Sequence, residues 1–319
     1  MGSPDDTGGL GRVGQRCLRY PVTCLSWEKL PQLLWRPYEP HPRQTRFADG
    51  HEPDPKIGGG TGLAGLIWHS DVEFSLSGTN FYASSFNTEG VRSTPERFYL
   101  AKPRRMIEGY VDLIEAHAPQ TIVELGIFQG GSTAFLTHLA RPEKLVALDL
   151  RPTRVEALDL FLEEHDARGS VRAHYGVDQS DTERVRQIVD HEFGQGCQLD
   201  LVIDDASHDL EPTRHSFNTL FPRLRPGGLY LIEDWSWGHF RFSRNRSGPS
   251  MAKLIMELLL SLPYCEAMIE ELTVDRFWAV ACRGQMKVDA DEFNISECSS
   301  DRGRQLLRAT DKDRDDSTN

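Results

Sequence analysis

The chain has 319 residues, of which 39% are hydrophobic and 26% charged, with a formal net charge of −12. This composition is typical of a soluble globular protein, and its acidic balance argues against a general nucleic-acid-binding protein, which normally carries a basic surface. The six cysteines are scattered without a C-x-x-C pair, so neither a zinc knuckle nor a disulfide framework is indicated.

The N-terminal part of the chain shows no membrane or secretion signal. No apolar run reaches the roughly 20 residues that span a bilayer, and residues 1–20 lack the apolar core of a secretory signal. We therefore expect a cytoplasmic protein without a membrane partner. Residues 1–70 are rich in Gly, Pro and Arg, which predicts a weakly ordered extension.

The next region, 71–118, is predicted to be a helical cap. Met106, Tyr110, Leu113 and Ile114 follow helical spacing. Upstream of it, "IGGGTGLAG" at 57–65 has the glycines of a phosphate loop, but no apolar strand precedes it and no Lys-Ser/Thr pair ends it. We interpret that stretch as a flexible linker.

From residue 119 the chain alternates between apolar runs and helical stretches. The predicted strands are 121–125, 144–150, 171–176, 199–205 and 229–234, and the helices between them lie near 131–140, 153–165, 181–193 and 209–222. This alternation predicts a parallel sheet built by right-handed crossovers. A helix at 250–262 and two strands at 267–274 and 277–284 follow, and their two-residue connection predicts a hairpin. The charged segment 286–319 is predicted to be a disordered tail.

The loop after the first parallel strand has the residues of a nucleoside site. Glu124 ends the strand, Gly126, Gly130 and Gly131 follow, and Asp149 stands at the tip of the second strand. Glycines allow close approach of a ligand, and an acid at that tip can accept ribose hydroxyls. Three interpretations stay open at this point: turn glycines alone, a nicotinamide dehydrogenase, although its G-x-G-x-x-G is not matched by G-I-F-Q-G-G, or another nucleoside cofactor.

Five strand–helix units, a terminal hairpin and the order E-x-G-x-x-x-G resemble class I S-adenosylmethionine-dependent methyltransferases. The resemblance implies an α/β fold over 119–285 with a Rossmann-like seven-stranded sheet, parallel except for one antiparallel strand, and helices on both faces. It implies S-adenosylmethionine as the cofactor, bound by Glu124, Gly126, Gly130 and Asp149. Asp178 and Gln179 would lie near the adenine, whereas the neighbouring Asp181 fits better as a helix N-cap.

Two predicted strands end in pairs of acids, Asp204 with Asp205 and Glu233 with Asp234. In the methyltransferase order these strands are neighbours, about 4.8 Å apart, so the four carboxylates should lie together over the cofactor pocket. Carboxylates that close repel each other unless they are protonated or bridged by a cation. Oxygen ligands favour Mg²⁺, Ca²⁺ or Mn²⁺, and we expect the partner of these acids to be such an ion and not a protein group.

The stretches "IDDASH" and "GGLYLIEDW" resemble a narrower group, the Mg²⁺-dependent macrocin- and mycinamicin-type sugar O-methyltransferases, together with cephalosporin hydroxylase-like proteins. The similarity covers roughly residues 95–240. It implies Asp205, Glu233 and Asp234 as metal ligands and His208 as the general base, while Asp204 would face the cofactor or support the loop. Helix capping or a surface contact is the structural alternative for His208. The aromatic segment around Trp235, Trp237, His239 and Phe240 would line the acceptor pocket.

The sequence thus predicts an S-adenosylmethionine- and Mg²⁺-dependent O-methyltransferase acting on a hydroxyl of a small natural product, such as a glycoside sugar. A hydroxylase-like enzyme on the same scaffold and a non-catalytic cofactor-binding partner protein are the alternatives. His215 and His239 are lesser candidates for the base. The acceptor, the methylated position and whether the chain forms a homo-oligomer stay open.

Overall fold

The computed structural model describes residues 65–84, 90–240, 248–263 and 268–298, with two short pieces at 300–301 and 304–305. The predicted linker at 57–65, apart from Gly65, and nearly all of the predicted extension 1–70 therefore lie outside the described residues. Among the helices that are described, none is long and apolar enough to cross a membrane.

A four-stranded sheet occupies much of the region predicted as a helical cap. Its strands follow one another in the order β1 (Leu66–Trp68), β2 (Glu73–Leu76), β3 (Thr79–Ala83) and β4 (Arg97–Leu100). Ser77 and Gly78, both with positive φ, make the two-residue turn between β2 and β3 that suits a hairpin. The prediction of a helical cap over 71–118 was wrong for this part, because Phe74, Leu76 and Phe81 are buried with the period of two that strands require.

The helical spacing in the second part of that region is confirmed by α1 (Arg104–His117). The helix starts directly after Pro103, whose backbone is extended, and ends before Ala118 in the left-handed region. Its buried face consists of Met106, Ile107, Tyr110 and Ile114. These side chains face one side of the large sheet, within the same apolar cluster as Ile122.

The alternating strands and helices predicted from residue 119 onward are confirmed. They are β5 (Thr121–Leu125), α2 (Gly131–Ala140), β6 (Lys144–Asp149), α3 (Glu156–Glu164), β7 (Val171–Tyr175), α4 (Thr182–Phe193), β8 (Leu199–Asp204), α5 (Leu210–Leu220), β9 (Leu224–Glu233), α6 (Ala252–Ser261), β10 (Ile269–Val274) and β11 (Trp278–Arg283). The sheet order is β10-β11-β9-β8-β5-β6-β7. β11 runs antiparallel to both of its neighbours, while the pairs from β9 to β7 are parallel. This is the predicted sheet with its single antiparallel strand.

Both faces of this sheet are covered, which explains the continuous apolar runs of its central strands. Successive residues of one strand enter different clusters: Leu201 and Ile203 join the side chains of α1, α2 and α3. Val202, between them, joins those of α4, α5 and α6 on the other face. A side chain at the end of such a strand is therefore directed to one face or the other by its position alone.

The predicted start of the disordered tail, residue 286, lies too early in the chain. Residues 286–298 are described, and they end in the short helix α7 (Ile295–Cys298). Ile295 is buried, its backbone N–H donates to Asn218 Oδ1 at 3.0 Å, and Phe293 packs on the cluster beneath α5. The boundary at 286 was wrong because these two apolar side chains pack against the sheet domain; most of the rest of the predicted tail lies outside the described residues.

Candidate active site

The acids that follow β8 and β9 meet at the carboxyl edge of the large sheet. Asp204 is paired with Ile232 in the parallel register, which brings the next residue, Asp205, beside Glu233. Their side chains converge on one cation, the ammonium of Lys102, which donates to Asp205 Oδ2 at 2.7 Å and to Glu233 Oε2 at 2.6 Å. The predicted convergence of these two carboxylates is confirmed.

The identity of this cation corrects the sequence-based expectation, which assigned the acids a partner outside the protein. Lys102, between β4 and α1, is only 4% exposed. Burial by itself lowers the pKa of this ammonium, but the charges of Asp205 and Glu233 outweigh burial and raise the pKa above its usual value. Tyr110 donates a hydrogen bond to Glu233 Oε1, so both oxygens of Glu233 already have protein donors.

Lys102 was missed because its contacts reach 103 and 131 residues along the chain. No spacing rule connects "YLAKP" to the two acid motifs. The local signal was a lysine that directly follows an apolar strand and precedes a proline. A charge in such a place is rarely buried without a partner, but the sequence does not say which partner it finds.

A second group of side chains lies beside this ion pair. Asp205, His208 and Asp234 each offer one ligand atom, and these atoms all lie within 4.8 Å of one another. His208 Nε2 is 3.8 Å from Asp205 Oδ1. Both His208 and Asp234 have left-handed backbone, with φ of 54° and 53°. Burial, and next the charge of Asp205, raise the pKa of Asp234 to about 7.

The donor set and charge of this cluster fit a divalent cation. When Asp205, Glu233 and Asp234 are ionised, the single ammonium of Lys102 leaves two negative charges without a balancing group among the side chains just described. Carboxylate oxygens are the ligands that Mg²⁺ and Mn²⁺ prefer, and His208 lies beside them without being required as a ligand. The structure brings two of the three predicted ligands into the group, and the role of Glu233 as a ligand stays a prediction.

Asp204, the other acid of the β8 motif, has a wholly different environment. It is 2% exposed and accepts hydrogen bonds from Gln179 Nε2 at 3.1 Å, Ser216 Oγ at 2.5 Å and Tyr230 Oη at 2.9 Å. Gln179 Oε1 in turn accepts from the backbone N–H of Ser207 at 2.9 Å. Burial raises the pKa of Asp204 to about 6. These contacts support the loop that carries Asp205 and His208; a contact of Asp204 or Gln179 with a cofactor stays a prediction.

The glycines of the first loop are explained by close contacts within the protein. Gly126 has a φ of +99°, and a Cβ there would lie 2.1 Å from the backbone oxygen of Asp205. Gly130 has a φ of +79°, and its Cβ would lie 2.9 Å from Leu158 Cβ. The loop after β8 therefore crosses directly over Gly126, which joins the predicted cofactor loop to the acid cluster.

The remaining predicted cofactor residues are at the same edge of the sheet. Asp149 Oδ2 accepts from the backbone N–H groups of Ile127 and Phe128 at 3.0 and 2.8 Å. Its pKa is lowered because hydrogen bonds from Arg151 and the backbone outweigh the effect of burial. Asp149 thus links the end of β6 to the loop after β5, where a nucleoside is expected to bind. Its contact with ribose stays a prediction.

Glu124 and Asp178 differ in exposure. Glu124 is buried, accepts from Thr133 Oγ1 at 2.6 Å, and has its pKa raised to about 7 by burial. Asp178 is exposed and accepts from the backbone and side chain of Ser180. Nearby, the Asp181 side chain accepts from the backbone N–H of Arg184, which confirms it as the N-cap of α4.

An aromatic segment flanks His208. Trp235–His239 forms a 3₁₀ helix directly after Asp234. The rings of Trp237 and His208 lie 4.2 Å apart between centroids at an angle of 45°. Trp235 Nε1 donates to the backbone oxygen of Asp275 at 2.7 Å, and Phe240 is 53% exposed. The predicted lining of an acceptor pocket by these residues is compatible with their position beside His208.

The segment that carries most of these residues is similar to a known family. Residues 123–235 match the family model of a methyltransferase domain. Over this segment, about a third of the chain, the protein is similar to a methyltransferase domain. The matched segment contains both acid motifs, the first glycine loop and the β8 and β9 strands, so the candidate ligands and His208 lie within it.

The methyltransferase domain is similar to three enzymes of natural-product pathways. Demethylmacrocin O-methyltransferase of Streptomyces fradiae is 42% identical over 74 residues, which are 19% of each chain. Mycinamicin VI 2''-O-methyltransferase of Micromonospora griseorubida is 41% identical over 81 residues, 25% of this chain and 19% of that one. A tetracenomycin-C rhamnosyl 2'-O-methyltransferase of Streptomyces olivaceus is 49% identical over 64 residues, 20% and 16% of the two chains. The matches span less than a fifth of the length of these curated relatives.

Solved structures of methyltransferases are also similar to the domain. The MycE methyltransferase of the mycinamycin pathway, in complex with Mg, SAH and mycinamycin VI, has a TM-score of 0.43 and 24% identity, covering 57% of this chain and 50% of that one. The O-methyltransferase TomG from Streptomyces achromogenes has a TM-score of 0.42 and 16% identity, covering 58% and 82%.

Proposed function

We propose that the protein is an S-adenosylmethionine-dependent O-methyltransferase that requires a divalent cation, Mg²⁺, and methylates a hydroxyl of a small natural product, most suitably on a glycoside sugar. The observation that carries the proposal is the convergence of Asp205, His208 and Asp234 within 4.8 Å in a methyltransferase domain. The names of the relatives support it, since all those reported are O-methyltransferases and one acts on a rhamnosyl group.

The cation belongs, in this proposal, to Asp205 and Asp234, with Glu233 as the further ligand that the sequence predicts. A divalent cation in such a site lowers the pKa of an oxygen acid beside it by many units. These carboxylates would hold the cation at the carboxyl ends of β8 and β9. They also lie beside the loop at Gly126, where the methyl donor is proposed to bind.

His208 is the proposed general base. An aliphatic hydroxyl is too weak an acid for imidazole, whose reference pKa is about 6.5, to deprotonate alone. With the hydroxyl acidified, neutral His208 accepts its proton as the methyl group is transferred. The Trp237 ring, 4.2 Å away between centroids, limits the orientations of the imidazole, and the rest of the catalysis is alignment of the two reactants.

The proposed cofactor contacts lie at the ends of β5 and β6 and on the loops after β5 and β7: Glu124, Asp149, Gly126, Gly130 and Asp178. Gln179 and Asp204 serve the same site by holding the loop at Ser207. We also propose a cytoplasmic location; the absence of a nucleic-acid partner stays a prediction, and the oligomeric state stays open.

The alternative of a hydroxylase is disfavoured by the donor set. The group found among the described residues has one histidine and two carboxylates, whereas non-haem iron oxygenases use two histidines and one carboxylate. The alternative of a non-catalytic binding protein is a matter for experiment.

Transfer of labelled methyl groups from S-adenosylmethionine to a panel of glycosides tests the proposal. We expect transfer that EDTA abolishes and added Mg²⁺ restores, and we expect Asp205→Asn to stay inactive with Mg²⁺ present. Transfer that is insensitive to the chelator would remove the cation from the mechanism. Binding of S-adenosylmethionine in calorimetry without transfer to any acceptor would favour the non-catalytic alternative.

A further inference from the structure

Lys102 is buried at the centre of the acid cluster without belonging to either acid motif. Its backbone N–H donates to the oxygen of Leu100 at 2.8 Å, and the same oxygen accepts from Ser84 N–H at 3.0 Å. Its ammonium lies 5.8 Å from the centroid of the Tyr110 ring, which contacts Trp278 edge-on at 5.1 Å. The position of the ammonium is therefore set by the small sheet on one side and by α1 on the other.

The burial of this charge indicates a permanent ion pair. An unpaired ammonium in the interior is costly, and removal of one partner from a buried pair is strongly destabilising. The Lys102 ammonium lies 2.7 and 2.6 Å from two carboxylates, and both ion pairs stabilise it in this buried position. The ammonium donates to one oxygen of each acid. Each hydrogen bond therefore fixes the orientation of a carboxylate in addition to balancing its charge.

The choice of oxygen matters for Asp205. Lys102 engages Oδ2, and the remaining oxygen, Oδ1, is the one that lies 3.8 Å from His208 Nε2. Rotation of this carboxylate would exchange the two oxygens and break the hydrogen bond to Lys102. Groups that fix a ligand's orientation in this way typically change metal affinity by 10- to 100-fold when they are removed.

We propose that Lys102 is a positioning residue of the cation site: it orients Asp205 so that Oδ1 joins Asp234 and His208, and it holds Glu233 beside them. The proposal rests on the cation site of the proposed function. It adds that the site depends on a residue from the segment between β4 and α1, outside the matched residues 123–235.

Binding of Mn²⁺ to the full-length protein, measured by electron paramagnetic resonance and calorimetry without cofactor or acceptor, is the test. We expect Lys102→Met to raise the Kd for Mn²⁺ about 10- to 100-fold. Lys144→Met is the matched control, because Lys144 also pairs with a glutamate, Glu192 at 2.8 Å, but stands at the start of β6, the opposite end of the strand from the site. We expect the control to keep the wild-type Kd.

A second variant covers the case in which Lys102→Met does not fold because Glu233 is left unpaired. Lys102→Met combined with Glu233→Gln removes that buried charge, yet still leaves Asp205 without its donor. Because Glu233 is itself a proposed ligand, the reference is Glu233→Gln alone, and the Kd of the double variant should be higher than that of this single variant. A wild-type or lower Kd in a folded Lys102 variant overturns the positioning role alone. A wild-type protein that binds no Mn²⁺, or an Asp205→Asn variant that binds it normally, overturns the cation site and both proposals with it.

Discussion

Asp204 and Asp205 are adjacent in the chain but belong to two different regions of the molecule. Asp204 points to the face covered by α5, where three side chains donate to it. Asp205 points to the face of α1, where its side chain is 24% exposed and meets Lys102, His208 and Asp234. Because side chains alternate along a strand, one residue of offset separates a structural carboxylate from a candidate ligand. An acid motif alone does not show which acid has which role.

The largest expected effect tests whether the Asp205 side of the comparison is catalytic. His208→Ala should lower kcat by about 10²- to 10⁴-fold, the usual contribution of a general base, and should leave the affinity for S-adenosylmethionine unchanged. Steady-state methyl transfer and calorimetry measure the two quantities. His191→Ala is the control, since that side chain is 82% exposed on α4. Near-normal turnover of His208→Ala would place the base elsewhere.

A pair of variants tests the comparison directly. Asp204→Ala removes an acceptor shared by three buried donors. Gln179 Nε2 and Ser216 Oγ keep other acceptors, whereas Tyr230 Oη loses the acceptor described for it. At about 1–3 kcal/mol for an unsatisfied buried donor, we expect the free energy of unfolding to fall by about that amount. Asp205→Ala should lose Mn²⁺ binding with a smaller loss of stability, because Lys102 keeps Glu233 as a partner. Urea unfolding and Mn²⁺ titration measure both. If the two variants changed the unfolding free energy equally, or changed Mn²⁺ affinity equally, the assignment of a structural role to Asp204 and a ligand role to Asp205 would be wrong.

The smallest expected effect concerns a titrating group outside both regions. Burial, followed by His165 and Arg141, lowers the pKa of His138 to about 4 from 6.5. The unfolded chain then binds more protons between these values, so His138 should reduce stability progressively as the pH falls from about 6.5 to 4. The stability advantage of the wild type over His138→Gln, measured as the difference in melting temperature, should therefore be smaller at low pH than at pH 7. A difference that does not change with pH would show that His138 titrates alike in both states.

Most of the large sheet could be predicted because its signal is local. The apolar runs at 121–125 and 199–205 and the helices between them match the observed elements within a few residues. The small sheet was missed although Ser77 and Gly78 form a usual hairpin signal. The predicted helical region was extended from residues 106–114 back to residue 71. The apolar positions there alternate, which is the pattern of strands.

The sequence by itself determined the order of strands and helices from residue 119 onward, the clustering of acids at the ends of β8 and β9, and the place of His208 beside them, because hydrophobic periodicity and strand polarity act over short stretches. Only the tertiary structure decided that Lys102 lies between Asp205 and Glu233, that Asp204 faces the opposite side, and that Gly126 gives room to the Asp205 backbone. Those contacts join residues 12 to 131 positions apart. They depend on how the faces of the sheet are covered, which local sequence patterns do not specify.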